Sequence, residues 1–406
     1  MHVIFVDPAF PSYQREFVRG LAAVGATVSA IGEAPVEALP DDIRSCLTFY
    51  EHVRSVVHEP SLHEAVRNIQ KRGWVDRLEA TVEAHVMPVA KVRKACGIPG
   101  TSERTAFLCR DKPAMKEALR AAGVPTAASI GSGDRDEILD FVRRVGFPVI
   151  VKPRSAAGAA GTYRADDTKR LAEVLDECHV GRGAEVAVEE FVEGHEGFYD
   201  TLTAGREIVH EFISHYYPSV LHAMRNRWIS PQIISTNRVD APGYAEVKEM
   251  GKRVIDVLGI ETSATHMEWF YGPKGLKFSE IGCRPPGVAM WDLYAAGNDF
   301  DIYREWAHLI VHGRAGQQPS RRFAAGMINI RPNRDGRIVA RHGLEHVLDR
   351  YGDLILAQRV PPVGAPTEPI EGGYKVNAWM HLRHPDYDRL HAILDDIGET
   401  LQLEAR

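Results

Sequence analysis

The chain has 406 residues, of which 44% are hydrophobic and 26% are charged, and its formal net charge at neutral pH is −6. This composition is that of a folded globular protein with volume for two or three domains, and it excludes a mainly disordered chain. The acidic balance argues against a protein that binds nucleic acid through overall positive charge. No apolar run approaches the roughly 18 residues that cross a bilayer, so we expect neither a nucleic-acid nor a membrane partner.

The N-terminal segment and the cysteines indicate the compartment. No basic segment precedes the short apolar run at the N-terminus, so we do not expect a signal peptide. The five cysteines are odd in number, scattered and without a Cys-x-x-Cys pair, which is typical of neither a disulfide framework nor a zinc site. We therefore expect a reducing, cytoplasmic location. The cysteines are Cys46, Cys96, Cys109, Cys178 and Cys283.

The first elements predict a parallel α/β unit. His2–Val6 is an apolar run typical of a strand, and residues 28–31 form a second one. Between them, Phe17 and Leu21 recur at helical spacing, so the order is strand, helix, strand. The turn at 7–11 has no glycine where a pyrophosphate would approach the backbone, so we do not expect a dinucleotide there.

Further elements follow from hydrophobic periodicity and from glycine and proline breaks. Helices and strands alternate through the middle of the chain, and no internal repeat or low-complexity segment occurs. The predicted helices are 78–95, 112–122, 135–145 and 387–401, and the predicted strands are 149–151, 186–188 and 374–381, with a proline- and glycine-rich loop at 359–373.

A lysine at a strand end begins the first segment that carries chemistry. Lys152 follows the apolar strand 149–151, and a loop of small residues with Gly158, Gly161 and Thr162 comes next. The lysine offers a point charge, and backbone N–H groups in such a loop approach phosphate oxygens without interference from Cβ atoms. The order differs from a Walker A loop, in which the lysine follows the glycines. An ordinary surface loop is an equal alternative at this point.

An acidic segment follows a predicted strand further along the chain. The strand leads into Glu189 and Glu190, then into the apolar pair Phe191 and Val192, and a glycine turn precedes Glu196. Backbone groups with an apolar cover suit the edge of an adenine, and a carboxylate suits the hydroxyls of a ribose. A strand end with solvated charges is the alternative.

Two short strands around a glycine-rich turn predict a hairpin over 266–282. Pairing in this hairpin would bring the side chains of Glu268 and Glu280 onto one face. Two carboxylates beside a phosphate site are the hard oxygen ligands that Mg²⁺ takes, with water and nucleotide completing its shell. The acids would otherwise form the polar face of a half-exposed hairpin.

In order and spacing, these three segments resemble the ATP-grasp superfamily, whose enzymes ligate a carboxylate to an amine or another nucleophile through an acyl phosphate. The resemblance covers nearly the whole chain. It implies an α/β protein with the ATP-grasp fold, divided into three parts, with a lid subdomain over about 120–195. The parts are an N-terminal parallel α/β domain (pre-ATP-grasp) over 1–110, an ATP-grasp domain over 111–320 and a C-terminal α+β lobe over 321–406.

The resemblance also implies ATP with Mg²⁺, or Mn²⁺ in its place, and a role for each motif residue. Arg284 would steady the acyl phosphate or the tetrahedral intermediate and, with Lys152, would be catalytic. Glu268 and Glu280 would bridge the metal ions. The nucleotide-binding residues would be Lys112 and Lys152 at the phosphates, Ser155, Gly158, Gly161 and Thr162 in the lid, Glu189 at the adenine amino group, Glu190, Phe191 and Val192 at the hinge, and Glu196 at the ribose.

One position departs from the family pattern. The superfamily usually reads Glu-x-Asn at the second metal-binding strand, and here Gly282 stands at the Asn position. Glycine has no side-chain oxygen, so one metal ligand must come from water or elsewhere, or one Mg²⁺ binds weakly. The lid also has Ala159 and Ala160 where hydroxyls often occur.

The residues after Arg284 indicate the branch of the superfamily. Biotin carboxylases carry Gln-Val-Glu-His there, whereas this chain reads Pro-Pro-Gly-Val at 285–288 and more closely resembles L-amino-acid ligases. We expect an ATP-dependent carbon–nitrogen ligase that joins the carboxylate of an amino acid to an amine, giving an amide or dipeptide, ADP and phosphate. Its partners would be small-molecule carboxylate and amine substrates and a second copy in a homodimer. A ligase of the purine-biosynthesis or carboxylase type and an ATP-binding protein without turnover are the alternatives.

The amine site has weaker sequence signals. The segment 215–228 is rich in histidine, aromatic residues and arginine and is predicted to be a loop, which either walls the acceptor site or is a solvated connection. Within it, Arg225 and Arg227 would pair with a substrate carboxylate, unless the segment is a solvated connection. His266 is a candidate base for the amine, although a histidine packed within the hairpin is the alternative.

Overall fold

The computed structural model of the chain describes residues 1–153, 161–370 and 373–406. The predicted site residues Ser155 and Gly158 lie outside these ranges, as does the side chain of Arg225. Among the described residues, no helix is long and apolar enough to cross a membrane.

The N-terminal part of the chain alternates strands and helices. Its elements are β1 (His2–Val6), α1 (Gln14–Ala23), β2 (Thr27–Gly32), α2 (Asp41–Cys46), β3 (Leu47–His52), α3 (Glu59–Gln70), β4 (Arg77–Glu79) and α4 (Val86–Cys96). The strands form one parallel sheet in the order β3-β2-β1-β4. β1 is an unbroken apolar run because helices cover both faces: Phe5 packs with Phe17 of α1, and Ile4 packs with Leu62 of α3. The predicted parallel α/β unit is confirmed.

The next part forms a small antiparallel sheet that carries Lys152. Its elements are α5 (Glu103–Leu108), α6 (Lys112–Ala121), β5 (Ser129–Ser132), α7 (Arg135–Val145), β6 (Val149–Pro153), β7 (Tyr163–Ala165), α8 (Thr168–Glu177) and β8 (Val186–Glu190). The strand order is β5-β8-β6-β7. Val149 and Val151 face the core formed with α7 and α8, so alternation along β6 turns Lys152 to the opposite face.

The largest element is an eight-stranded antiparallel sheet in the second half of the chain. Its strands and the helices around them are β9 (His195–Ala204), β10 (Glu207–Tyr217), α9 (Val220–Arg225), β11 (Gln232–Ser235), α10 (Ala245–Leu258), β12 (Ser263–Gly272), β13 (Gly275–Gly282), α11 (Met290–Asn298), α12 (Ile302–His312), β14 (Ala324–Ile330), β15 (Ile338–His342), α13 (Leu344–Tyr351), β16 (Ile355–Arg359), β17 (Ala378–His384), α14 (Tyr387–Thr400) and β18 (Gln402–Ala405). The strand order is β13-β12-β9-β10-β11-β14-β17-β16. β15 and β18 pair separately.

The two faces of this sheet are covered by different elements. Along β9, Phe198 faces the cluster that includes α11, α12 and the N-terminal sheet, whereas Tyr199 faces the cluster that includes α6 and α10. Helix α1 lies close against α12: a Cβ on Gly20 would lie 2.6 Å from the carbonyl oxygen of Tyr303, so only glycine fits there. This contact fixes the N-terminal sheet against the central one.

β14, β17 and β16 continue the same sheet beyond β11, which places strands of the C-terminal residues beside those of the hairpin region. The predicted domain boundary near residue 320 therefore falls between strands of one continuous sheet. The assignment of this part as a separate lobe stays a prediction.

Three predicted elements are wrong in extent. The predicted helix over 78–95 begins only at Val86, because Leu78 and Glu79 pair with β1 as part of β4. The predicted last strand over 374–381 runs instead over Ala378–His384, because Asn377 has a φ of 58° and breaks the extended chain.

The third correction concerns the predicted loop over 215–228. Residues as far as Tyr217 belong to β10, because they pair with both β9 and β11, and Val220–Arg225 forms a helix. Tertiary pairing thus prevails over the polar, aromatic composition that suggested a loop.

Candidate active site

The β12–β13 hairpin places two carboxylates side by side. Glu268 and Glu280 are directly paired in its register, with a bulge immediately after Glu268, so both side chains lie on one face, as predicted. Their side chains are 20% and 24% exposed. Among the described residues, no three histidine, cysteine or acidic side chains form a metal cage. The pair therefore suits an ion that takes most of its ligands from phosphate and water, as Mg²⁺ does.

Lys112 reaches this pair from the first turn of α6. Its Nζ lies 2.9 Å from Oε2 of Glu280. Asp111 caps the helix by accepting a hydrogen bond from the backbone N–H of Ala114, which fixes where α6 begins and so where Lys112 projects. The predicted phosphate ligand and one predicted metal ligand are thus ion-paired with each other.

A second ion-paired cluster surrounds Glu189 at the end of β8. Its carboxylate lies 2.7 Å from Nζ of Lys116 and 2.9 Å from Nζ of Lys152. Burial alone would raise the pKa of Glu189, but the two ammonium charges outweigh it and lower the pKa to about 2. Burial also lowers the pKa of Lys116 to about 8. Glu189 is therefore an anion in the folded chain.

Lys116 is the site residue that we did not predict from the sequence. It is only 1% exposed. A lysine buried this deeply needs a carboxylate partner, which Glu189 provides. One signal was available: Lys116 follows Lys112 by one helical turn in α6, so both lysines project from the same helix face. Together with Lys152, these two lysines place three positive charges near the paired carboxylates of Glu268 and Glu280. Three ammonium groups beside two carboxylates fit the polyphosphate of a nucleotide with its divalent ion.

The predicted hinge lies at the end of β8. The backbone N–H of Glu190 donates to Ala128, and that of Phe191 donates to Pro148 over 3.2 Å. The Phe191 ring is covered by the guanidinium of Arg164 at 4.5 Å. Val192 is buried beside it. The N–H groups of Glu190 and Phe191 are thus already paired within the chain, so an adenine edge would use other backbone groups of this segment.

Gly161 and Thr162 are the predicted lid residues that the structure describes. Gly161 has a φ of 70°, in the left-handed region, where a Cβ atom is costly. Thr162 directly follows it and leads into β7. These residues connect to β6, and so to Lys152, through residues outside the described ranges.

Glu196 lies on the same face of β9 as Phe198. Its Oε2 accepts a hydrogen bond of 2.7 Å from the backbone N–H of Val220, the first residue of α9. Burial and the neighbouring charge of Glu268 raise the pKa of Glu196 to about 8. A carboxyl that holds a proton near neutral pH can donate as well as accept a hydrogen bond, and a ribose hydroxyl can take either role.

Arg284 follows β13 and is held by the N-terminal part of the chain. Its Nε donates to Oε2 of Glu83 over 2.7 Å, and its Nη1 donates to the carbonyl oxygen of Pro285 over 2.9 Å. Arg110 lies 3.5 Å from the other oxygen of Glu83 and also donates to the Glu83 backbone carbonyl. Glu83 was not among the predicted residues, because it lies 201 positions before its partner Arg284 in the sequence.

His266 is a charged structural residue of the hairpin. Its Nδ1 lies 2.8 Å from Asp200 and its Nε2 lies 3.6 Å from Glu268. Burial disfavours the imidazolium, but the Asp200 carboxylate outweighs it and raises the pKa of His266 to about 9. A histidine that is protonated at neutral pH does not accept a proton from an amine, so these contacts favour the structural interpretation.

The segment predicted to wall the acceptor site begins on the opposite face of the central sheet. His215 pairs with Gly197, which places it on the face of the sheet opposite Glu196, where it hydrogen-bonds to His195 and Tyr244. Arg227 forms an ion pair of 2.9 Å with Asp335. The structure thus brings the predicted metal, phosphate and hinge residues together but does not bring His215 to the same side.

Comparison with known proteins gives a family match for part of the chain. Residues 117–299 match the ATP-grasp domain family. The chain is 30% identical over 226 residues to the L-arginine-specific L-amino acid ligase of Bacillus subtilis, an alignment that covers 54% of each protein. It is 25% identical over 281 residues to the alanine–anticapsin ligase of Bacillus subtilis strain 168, covering 62% of this chain and 58% of that one. The chain therefore spans little more than half the length of these curated relatives.

Solved structures show the same architecture. The L-amino acid ligase from Bacillus licheniformis superposes with a TM-score of 0.77 at 16% identity, over 100% of this chain and 98% of that one. The phosphoribosylglycinamide synthetase from Anaerococcus prevotii superposes with a TM-score of 0.69 at 14% identity, over 100% of this chain and 99% of that one. The chain has the ATP-grasp fold, as the sequence predicted.

Proposed function

Because residues 117–299 are an ATP-grasp domain, we propose that the chain is an ATP-dependent carbon–nitrogen ligase that joins the carboxylate of an amino acid to an amine. The observation that carries this proposal is the pairing of Glu268 with Glu280 beside Lys112, a set of side chains that could bind a metal ion and a phosphate at one place. Two curated relatives are named as ligases of amino acids, which supports an amino acid as the substrate.

The reaction has two steps. A carboxylate oxygen of the substrate attacks the γ-phosphorus of ATP, the bond from that phosphorus to the bridging oxygen breaks, and ADP leaves. The amine nitrogen then attacks the acyl carbon of the resulting acyl phosphate, the bond from that carbon to the phosphate oxygen breaks, and inorganic phosphate leaves with the amine losing a proton to solvent. Amide, ADP and phosphate are the products.

The lysines and acids of the site position the reactants and balance their charge. Lys112, Lys116 and Lys152 offset the charge of the polyphosphate, which is the main protein contribution in phosphoryl transfer. Bound to Glu268 and Glu280, Mg²⁺ would supply further charge stabilisation at the transferring phosphoryl group. Because each lysine is already paired with a carboxylate, nucleotide and ion must exchange partners with these pairs as they bind.

The contacts of Arg284 support a role for it in the acyl transfer step. Its Nε and Nη1 are engaged by Glu83 and Pro285, which fixes the plane of the guanidinium. A guanidinium held in one plane is a strong, directional donor to phosphate and carboxylate oxygens. We propose that it steadies the acyl phosphate and the tetrahedral intermediate that follows.

Two further expectations belong to this proposal. The first is a cytoplasmic location, because all five cysteines are free thiols, which suits a reducing compartment. A homodimer is a further prediction, which gel filtration with light scattering would test.

The test is ADP release measured by mass spectrometry with pairs of amino acids, together with hydroxylamine trapping of the acyl phosphate as a hydroxamate. The proposal predicts ADP formation that depends on an added amino acid and a hydroxamate of that amino acid. ATP binding without ADP release would instead identify an ATP-binding protein without turnover. Turnover with a phosphoribosylamine but with no amino acid pair would identify a ligase of the purine-biosynthesis type.

A further inference from the structure

Gly282, two residues after Glu280 on β13, has no side chain, and the carboxylate of Glu83 lies beside it. We propose that Glu83 supplies the oxygen ligand for a divalent cation that Gly282 does not provide. This inference rests on the proposed function, because it assumes that Glu280 binds a metal ion together with a nucleotide.

The geometry around Gly282 carries the inference. Gly282 pairs with His266 in the hairpin and, two residues along β13 from Glu280, lies on the same face of the strand. A Cβ built on Gly282 would lie 3.5 Å from Oε2 of Glu83. An asparagine at this position would extend its oxygen into the region that the Glu83 carboxylate now borders. The chain thus has an oxygen ligand at this place, but it comes from the turn after β4.

Glu83 is held in place and is open to a ligand. Its Oε2 accepts a hydrogen bond from Nε of Arg284, and Arg110 lies 3.5 Å from its Oε1. The side chain is nevertheless 24% exposed, and a carboxylate has about four acceptor positions on its two oxygens, so the two arginines leave positions vacant. Carboxylates that bind metals are commonly hydrogen-bonded in this way, because the second contact orients them.

The number of carboxylates fits ions that are shared with a nucleotide. Glu83, Glu268 and Glu280 do not form a three-ligand cage, in line with the absence of such a cage among the described residues. An ion bound with ATP needs only one or two protein oxygens, and phosphate and water complete its shell. We therefore assign one ion to Glu268 with Glu280 and a second ion to Glu280 with Glu83.

The competing explanation is that Glu83 only positions Arg284. The two explanations differ in what restores a lost function. If Glu83 is a ligand, removing it and returning an oxygen to position 282 should restore metal binding. If Glu83 only positions Arg284, an asparagine at position 282 restores nothing, and removing Arg284 should have the same effect as removing Glu83.

The experiment measures Mn²⁺ binding, by the electron paramagnetic resonance signal of free Mn²⁺, to protein saturated with a non-hydrolysable ATP analogue. The variants are Glu83→Ala, Glu83→Ala with Gly282→Asn, and Arg284→Ala, with exposed Glu37→Ala as the matched control. We expect Glu83→Ala to weaken one Mn²⁺ site about tenfold or more. The double variant should return to near the wild-type affinity, and Glu37→Ala should keep both sites. Arg284→Ala, which removes the contact that orients Glu83, should weaken the same site but by less than Glu83→Ala does.

Each result has a definite meaning. Unchanged Mn²⁺ binding in Glu83→Ala would overturn the inference, and so would a loss that Gly282→Asn does not restore. The proposed function is tested separately by Glu280→Gln, which should weaken Mn²⁺ binding whether or not Glu83 is a ligand. If the wild-type protein with the analogue bound no Mn²⁺ at all, the proposed function itself would fail.

Discussion

The ammonium group of Lys112 lies 2.9 Å from the carboxylate of Glu280, so a residue proposed to bind phosphate and a residue proposed to bind metal form an ion pair with each other. The pair keeps both charges satisfied at a site where the Lys112 side chain is only 9% exposed. It also sets up an exchange: when an ion takes Glu280, Lys112 is released toward the phosphates.

This exchange predicts opposite effects of one substitution on two ligands. Lys112→Met removes a charged phosphate contact, so the KM for ATP should rise about tenfold or more. The same change frees Glu280 from its ion pair, so Mn²⁺ should bind the nucleotide-free protein about fivefold more tightly. Steady-state kinetics and isothermal titration calorimetry measure the two effects. Lys94→Met, which removes an exposed lysine of α4, is the control, and weaker Mn²⁺ binding in Lys112→Met would contradict the exchange.

The lid can be tested with two glycines that both have a positive φ. Gly161 has a φ of 70° and Gly183 has a φ of 98°, so valine is strained at both positions. Only Gly161 is predicted to lie at the phosphates. Gly161→Val should therefore raise the KM for ATP or lower kcat about tenfold or more, with a melting temperature that changes no more than that of Gly183→Val. Normal turnover of ATP in Gly161→Val would remove this loop from the phosphate site and weaken the assignment of Lys152.

Asp7 provides a prediction about stability that is independent of the site chemistry. Its Oδ1 is buried and accepts no hydrogen bond from the described residues. Burial and the nearby Glu33 charge raise the pKa of Asp7 from 3.8 to about 6. Because the folded pKa is the higher one, the folded chain favours the protonated carboxyl, and this stabilisation is lost as the pH rises from about 3.8 through about 6.

Asparagine should remove this pH dependence. It is neutral, has nearly the shape of aspartate and tolerates the φ of 54° at this position. Asp7→Asn should raise the free energy of unfolding by about 1 kcal/mol near pH 7.5 and by nothing near pH 4, as measured by urea unfolding. The exposed residue Asp41, changed to asparagine, should show no such difference. A destabilised Asp7→Asn at pH 7.5 would mean that the Asp7 charge has a favourable partner.

The parts of the site that are local in sequence could be predicted. Glu268 and Glu280 lie in one hairpin, whose turn and alternation determine which side chains share a face, and the observed register pairs them. The strand that carries Lys152 could also be predicted, because its apolar residues and the proline that ends it follow one another in the sequence.

The parts that depend on distant contacts could not. Glu83 meets Arg284 only because α1 packs against α12 and brings the N-terminal sheet to the end of β13, a contact that no local pattern encodes. His215 was predicted at the acceptor site, but its face is decided by its pairing with Gly197 on a neighbouring strand. A one-residue change in that pairing would have reversed the result, which is why composition alone was not enough.

The most direct test of the account is the rate of amino-acid hydroxamate formation in Glu280→Gln. Glutamine keeps the shape of the side chain but removes the charge that the ion needs, so the account predicts a loss of about 100-fold or more in kcat, equivalent to about 2.7 kcal/mol. Glu207→Gln, an exposed change on β10 of the same sheet, should retain the wild-type rate. Full hydroxamate formation by Glu280→Gln at ordinary Mg²⁺ concentrations would contradict the metal assignment and, with it, the proposal that this chain is an acyl-phosphate ligase.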